Sequence, residues 1–318
     1  MASNISRRDF IRSSVLATTA AALGSQGLAA GPPAPAAKKY RLPTGKIGKL
    51  QITRLILGGN LLTRYQHSRG MSYINKLVQT YNTDQKVRQT IELAEASGID
   101  TLSVNVTDAV MKVLCDHRKN GGKIQTILYS TADIENKDAY EKDVRQMVDF
   151  GSEAIYIWGC HADRYATSGK LDLLASRLDD IKLHDVPCGL AAHDLRVVRE
   201  AEKAKLPFDF YIKTHHHHNY PGAPRPGEVK GATGEAPGYW CSNPEDTIAC
   251  MKSVSKPWIA FKVMAAGAIP PGDAFGYAFL SGADFVLAGM FDFDIEEDCK
   301  ITCEAVAKAR TRPRAWCA

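Results

Sequence analysis

No Cys-x-x-Cys pair occurs among the eight cysteines, so the chain carries no local dithiol motif. There is no run of basic residues either. The formal charge is only +5, and three arginines and one aspartate among the first twelve residues account for two of those charges. Nucleic acid is therefore not an implied partner. The mildly apolar run Val15 to Leu23 is too short to cross a bilayer as a helix, which argues against a stable membrane anchor. Finally, no Gly-x-Gly-x-x-Gly turn follows the first expected strand, so an open dinucleotide-binding sheet lacks its usual fingerprint.

What is present begins at the N-terminus. Ser6-Arg7-Arg8-Asp9-Phe10-Ile11-Arg12 precedes the apolar run, and Gly27-Leu28-Ala29-Ala30 follows it. This pattern resembles a twin-arginine export signal. It implies a signal peptide at 1–30 cleaved near Ala30, the twin-arginine export machinery as a partner, and a periplasmic or extracellular location. Residues 31–45 read as a flexible lead-in, 46–310 as a single domain and 311–318 as a tail. Most cysteines fall within expected helices or strands, where a thiol packs as a small apolar group. Cys241 and Cys317 fall in loop or tail and are the bridge candidates.

From Arg54 onward, continuous apolar runs alternate with amphipathic segments. Strands are expected at Arg54–Asn60, Ile99–Asn105, Ile124–Ser130, Ala154–Cys160, Pro187–His193, Phe208–Thr214, Trp258–Met264 and Asp284–Gly289. The helices between them carry recognisable ends: Gly98, Gly121 and Gly151 as stops, Asp194 as an N-cap, and Asn243-Pro244-Glu245-Asp246 as a start. Strands that are apolar throughout belong to a parallel sheet buried on both faces. Eight such β–α units imply an α/β fold of the (β/α)8 TIM-barrel class, with an open doubly wound sheet as the alternative. Two connections, Leu61 to Thr83 and His215 to Ser242, are long enough to be lids or binding loops on the C-terminal face.

Imidazole concentrates on that face. His161 follows the fourth strand, His193 ends the fifth, and His215 to His218 follow the sixth. Three adjacent strands thus deliver a donor set that suits a divalent metal such as zinc, copper, iron, nickel or manganese, with His161, His193, His216 and His217 as candidate ligands. Asp163 and Asp194 are candidate further ligands or acceptors. Lys213 and Lys262 stand in apolar strands, where an ammonium is costly unless paired or functional, and with His161 they are the candidate catalytic residues. Asn60, Asn105 and Tyr129 end strands one to three and offer substrate contacts. Tyr220 and Trp240 could stack on a sugar ring.

The order of motifs resembles the aldo/keto reductase superfamily over about Arg41 to Lys308. Arg54-Leu55-Ile56-Leu57-Gly58-Gly59-Asn60 is similar to its first strand, Gly98-Ile99-Asp100-Thr101 to its second, and Ala154-Ile155-Tyr156-Ile157 leading to His161 to its fourth. The resemblance implies NADP as cofactor and hydride transfer to a carbonyl, with His161 in the place of the family's histidine. The family's other catalytic positions depart: Ser103 stands at the aspartate, and Tyr129-Ser130-Thr131 carries no lysine. Three readings follow. One is an exported barrel enzyme with a histidine-rich metal site acting on a small carbonyl or hydroxyl substrate, such as a carbohydrate, by a lyase, isomerase or hydrolase step. The alternatives are an NADP-dependent oxidoreductase and a non-catalytic metal- or sugar-binding protein.

Overall fold

The computed structural model describes residues 38–224 and 241–317. The leader, residues 31–37 of the lead-in and Trp240 lie outside the described residues.

A short hairpin comes first, β1 (Thr44–Ile47) and β2 (Leu50–Thr53), antiparallel and turning at Gly48 with φ +57°. Eight parallel strands follow: β3 (Leu55–Gly58), β4 (Thr101–Asn105), β5 (Gln125–Tyr129), β6 (Ala154–Ile157), β7 (Cys188–Ala192), β8 (Phe210–Thr214), β9 (Trp258–Phe261) and β10 (Phe285–Ala288). They hydrogen-bond in chain order, and β10 returns to β3 with Val286 opposite Leu55, so the sheet is a closed (β/α)8 barrel. All eight expected strands are present.

Strand alternation separates two cores. Ile56, Ile127, Tyr156, Ala191, Phe210, Ile212, Ile259 and Phe285 fill the barrel, and Ile47 and Ile52 of the hairpin plug it from the N-terminal end. Leu55, Leu57, Leu102, Leu128, Ile155, Leu190, Tyr211 and Trp258 face the helices instead. The sequence reading passed over this hairpin because each arm is only four residues long.

The helices are α1 (Ser72–Tyr81), α2 (Asp84–Ser97), α3 (Asp108–Lys119), α4 (Lys137–Phe150), α5 (Gly159–Thr167), α6 (Leu171–Lys182), α7 (Leu195–Ala204), α8 (Pro244–Met251), α9 (Pro271–Ser281) and α10 (Ile295–Lys308). Several expected ends are present. Gly98 and Gly151 close α2 and α4 in the left-handed region, at φ +111° and +86°. Asp194 accepts from Arg196 N–H at the start of α7, and Asn243 accepts from Asp246 N–H at the start of α8. Two departures matter for the site. The first long connection contains α1, and the fourth strand stops at Ile157 so that α5 begins at Gly159, which moves Cys160 from strand to helix and puts His161 on that helix rather than in a loop.

At the N-terminal end, residues 312–317 form a clamp. Asp284 is fully buried; its carboxylate meets Arg314 at 2.6 Å and Arg312 at 3.4 Å and accepts from Trp258 N–H and Cys317 N–H. Trp316 lies between two guanidinium groups, with Arg54 Cζ 3.9 Å and Arg312 Cζ 3.7 Å from its ring. Cys317 is therefore held at this end, whereas Cys241 is buried at the other, and all eight cysteines are free thiols. The two bridge candidates do not pair.

Candidate active site

The C-terminal ends of the strands present a polar mouth whose best-defined element is an aspartate–histidine pair. His193 directly follows β7 on the inward-facing register of Gly189 and Ala191. Asp163, on the first turns of α5, accepts from His193 Nδ1 at 2.7 Å, from His193 N–H at 3.0 Å and from Asp194 N–H at 2.9 Å. A carboxylate can only accept from these groups, so the imidazole carries its proton on Nδ1, and Nε2 has no protein partner among the described residues. Burial holds the His193 pKa below 6.5; Asp163 opposes that, and Lys262 and Lys213 add to it. The ring is neutral at pH 7, with a lone pair on Nε2. A side chain at Gly159 would place its Cβ 3.1 Å from His193 Cε1, so the glycine allows the helix start to approach the imidazole closely.

Other groups surround this pair. Lys262 follows β9 with φ +56° and meets Nε2 of His67 through its ammonium. Tyr129 packs against Tyr156 at 4.9 Å, and burial pushes its phenol up to about 12. Ser103 donates to Tyr156 Oη at 3.3 Å across the barrel. Asn105, ending β4, has a buried Oδ1 with no partner among the described residues, and Asn60 accepts from Tyr65 N–H and Thr63 Oγ1. Cys160 is an exposed residue, yet the atoms packed around its thiol desolvate it enough to raise its pKa, with Asp163 adding to the rise and Lys262 opposing it. The sequence reading treated Cys160 as a packed strand residue; its position directly before His161 at a strand end was the signal available.

The imidazoles expected to share a metal do not form one donor set. His161 sits on α5 with its ring against Trp158 and Tyr165, and its charged neighbours are Asp133 and Arg164 rather than those of His193. His216 has both nitrogens engaged: Nδ1–H donates to His217 O at 3.0 Å, and Nε2 accepts from Cys241 N–H at 3.1 Å. His218 Nε2 donates to Cys241 O at 2.6 Å, so His216 and His218 together grip one residue of the far end of the loop. His217 faces Asp273 at 3.2 Å. His215 is fully buried, stacked on Tyr277 at 4.9 Å, and neither ring nitrogen has a partner among the described residues. No group of three His, Cys, Asp or Glu side chains among the described residues is arranged to hold a metal ion. Among the described residues, the histidine run holds the two ends of a loop together.

Lys213 is also displaced from its expected place. Phe210 and Ile212 point into the barrel, so alternation sends Lys213 to the helix-facing side, where it is buried and donates to Thr214 O and Oγ1, both at 2.9 Å. Tyr220, in the loop after β8, lies against the rings of His216 and His217 and under the guanidinium of Arg69. Sequence had placed Lys213 by its nearness to a strand end, not by its side of the strand. A groove of about 860 Å³ opens at the opposite, N-terminal end beside Tyr40, Asp100 and Cys303, remote from all these groups.

No protein-family model matches the chain, and no curated protein matches it. Among solved structures, the apo form of Gox0644 superposes with a TM-score of 0.56 at 8% identity, covering 87% of this chain and 99% of that one. A variant of Gox0644 in complex with NADPH superposes with a TM-score of 0.54 at 8% identity, covering 85% and 94%. At this identity the likeness shows the fold alone, that of a (β/α)8 barrel.

Proposed function

We propose that the chain is an oxidoreductase that acts at the barrel mouth on a hydroxyl- or carbonyl-bearing carbon of a small molecule, with NADP as hydride partner. The observation that carries the reading is the Asp163–His193 pair, whose oriented, neutral imidazole leaves Nε2 for a substrate proton. In the oxidising direction Nε2 takes the hydroxyl proton; in the reducing direction the same atom returns it. Asp163 holds the tautomer and stabilises the imidazolium that forms. Lys262 supplies positive charge beside the oxygen on which negative charge develops.

A dinucleotide brings phosphate charge to the mouth. Lys262 and Arg69 are cations at the end of β9, and Arg69 Nη1 donates to Ala265 O at 3.3 Å within a segment where Ala265, Ala266 and Gly267 all have positive φ. Phosphate charge fits there. It does not fit the start of α10, whose first turn carries Glu296, Glu297 and Asp298. NADP, when bound, supplies the hydride acceptor or donor. The NADPH complex of Gox0644 supports this choice of cofactor. Fluorescence titration with NADPH, followed by turnover of NADP⁺ with a panel of alcohols and sugars, tests the reading. Saturable binding with turnover that disappears in His193→Ala is the expected result, and absence of NADP(H) binding sinks it.

Export belongs to the same proposal and is supported by Arg7-Arg8 and the small residues near Ala30. Mass spectrometry of the N-terminus of protein recovered from the cell envelope checks it: a start near Gly31 is expected, and an intact Met1 overturns it.

A further inference from the structure

We propose that the exposed aromatic surface beside the mouth is a binding platform for a neutral saccharide chain. The inference rests on the mouth being where a hydroxyl- or carbonyl-bearing substrate reacts, and it names the class of molecule that carries that group.

The helix α1 is built the wrong way round for a helix that only packs. Val78 is its one buried residue, whereas Tyr73 and Leu77 are 64% and 60% exposed. With Tyr81 they recur every four residues and so form one stripe, about 12 Å from first to last. At its end Tyr81 meets Phe291 and Phe293 edge-on, with centroids 5.8 and 6.1 Å away. Phe291 and Phe293 stack on each other at 5.1 Å and 14°, and Phe293 is 67% exposed. The helix follows β3 and the phenylalanines follow β10, neighbouring strands whose C-terminal ends form the mouth. Tyr65, on the same connection as α1, packs edge-on to His67, the partner of Lys262. The aromatic surface therefore borders the reacting groups.

Its chemistry favours a sugar. A pyranose offers a face of C–H bonds to an aromatic ring and a rim of hydroxyls to polar side chains. Here the rings stand beside a neutral hydrogen-bonding group: Tyr81 Oη donates to Asp292 at 2.7 Å, and Lys86 Nζ donates to the other carboxylate oxygen at 2.9 Å. Four such side chains expose on the order of 500 Å², short of the roughly 800 Å² per partner of a stable dimer. An anionic membrane surface is disfavoured by Asp292, Asp294, Glu296 and Glu297 beside Phe293.

A neutral glycan array, followed by calorimetric titration of the best oligosaccharide, tests the platform. The wild type is expected to bind a glycan of about four or more sugars, at least tenfold more tightly than the Tyr73→Ala/Phe293→Ala double variant. His193→Ala should bind it like the wild type, and the double variant should keep the wild-type melting temperature, since both side chains are exposed. Four results overturn the proposal: no glycan bound, equal affinity in the double variant, a wild-type dimer that the double variant dissolves, or sedimentation with anionic vesicles in place of glycan binding. Glycan binding without NADP(H) binding keeps the platform and removes the oxidoreductase reading; NADP(H) turnover without glycan binding does the reverse.

Discussion

Replacing His216 with glutamine should flatten the acid limb of the protein's stability. His216 is fully buried, and burial holds its pKa down to about 4, with repulsion from His218 and Lys213 in the same direction and the His217 carbonyl opposing. An unfolded histidine titrates near 6.5. Between those two values the unfolded chain binds a proton that the folded chain refuses, so stability is full above pH 6.5 and falls as pH drops toward 4. At about 1.4 kcal/mol per pH unit, the gap is worth about 3 kcal/mol. The mechanism is concrete: a proton on Nε2 displaces the hydrogen bond from Cys241 N–H. Glutamine offers an amide oxygen to that N–H and an NH₂ group toward the His217 carbonyl, and it has no proton to gain. Guanidinium unfolding of both proteins, followed by tryptophan fluorescence from pH 7.5 to 4, gives the comparison. The two should agree within about 1 kcal/mol at pH 7.5, and His216→Gln should gain about 3 kcal/mol on the wild type by pH 4. Other groups titrate in both proteins and cancel. Parallel pH profiles would refute the reasoning.

Three further outcomes are expected. Asp163→Asn should lower turnover by about 10³- to 10⁴-fold, because the amide no longer fixes the imidazole tautomer. The acid-side fall of the oxidation rate, where His193 takes up a proton, should move to lower pH, because Asp163 raises the His193 pKa; steady-state kinetics against pH reads both effects. Asp284→Ala strips Arg312 and Arg314 of their carboxylate and should cost about 3–5 kcal/mol in chemical denaturation. Lys213→Met removes a buried ammonium that has no ion pair among the described residues, so the unfolding midpoint should hold or rise; a loss above about 2 kcal/mol would contradict that.

The barrel was legible because each strand is buried on both faces and reads as an unbroken apolar run, and because Gly98, Gly151, Asp194 and Asn243 punctuate the chain where the backbone requires it. The site was legible only in part. His193 was singled out, as a metal ligand, because it ends a strand, and Asp163 was named only as a further ligand or acceptor. Their pairing depends on α5, a helix that begins at Gly159 inside the stretch expected as the fourth strand. Lys213 was misplaced although the alternation of Phe210 and Ile212 gave its side. The partners of the histidine run were not legible either: His216 and His218 find them on Cys241, more than twenty residues away across a loop, a pairing that no local pattern encodes.

The arginine–tryptophan clamp carries a consequence for the order of events in synthesis. Arg54 directly precedes the first barrel strand and donates to Asp284 O, directly before the last, across the seam where β10 joins β3. The groups that lock this seam, Arg312, Arg314 and Trp316, emerge from the ribosome after every strand and helix of the barrel. A nascent chain halted at about residue 310 would own all eight strands and still lack the latch. The strand pairing that closes the ring is complete without these residues, so the clamp is a reinforcement that only the finished chain can add to its seam.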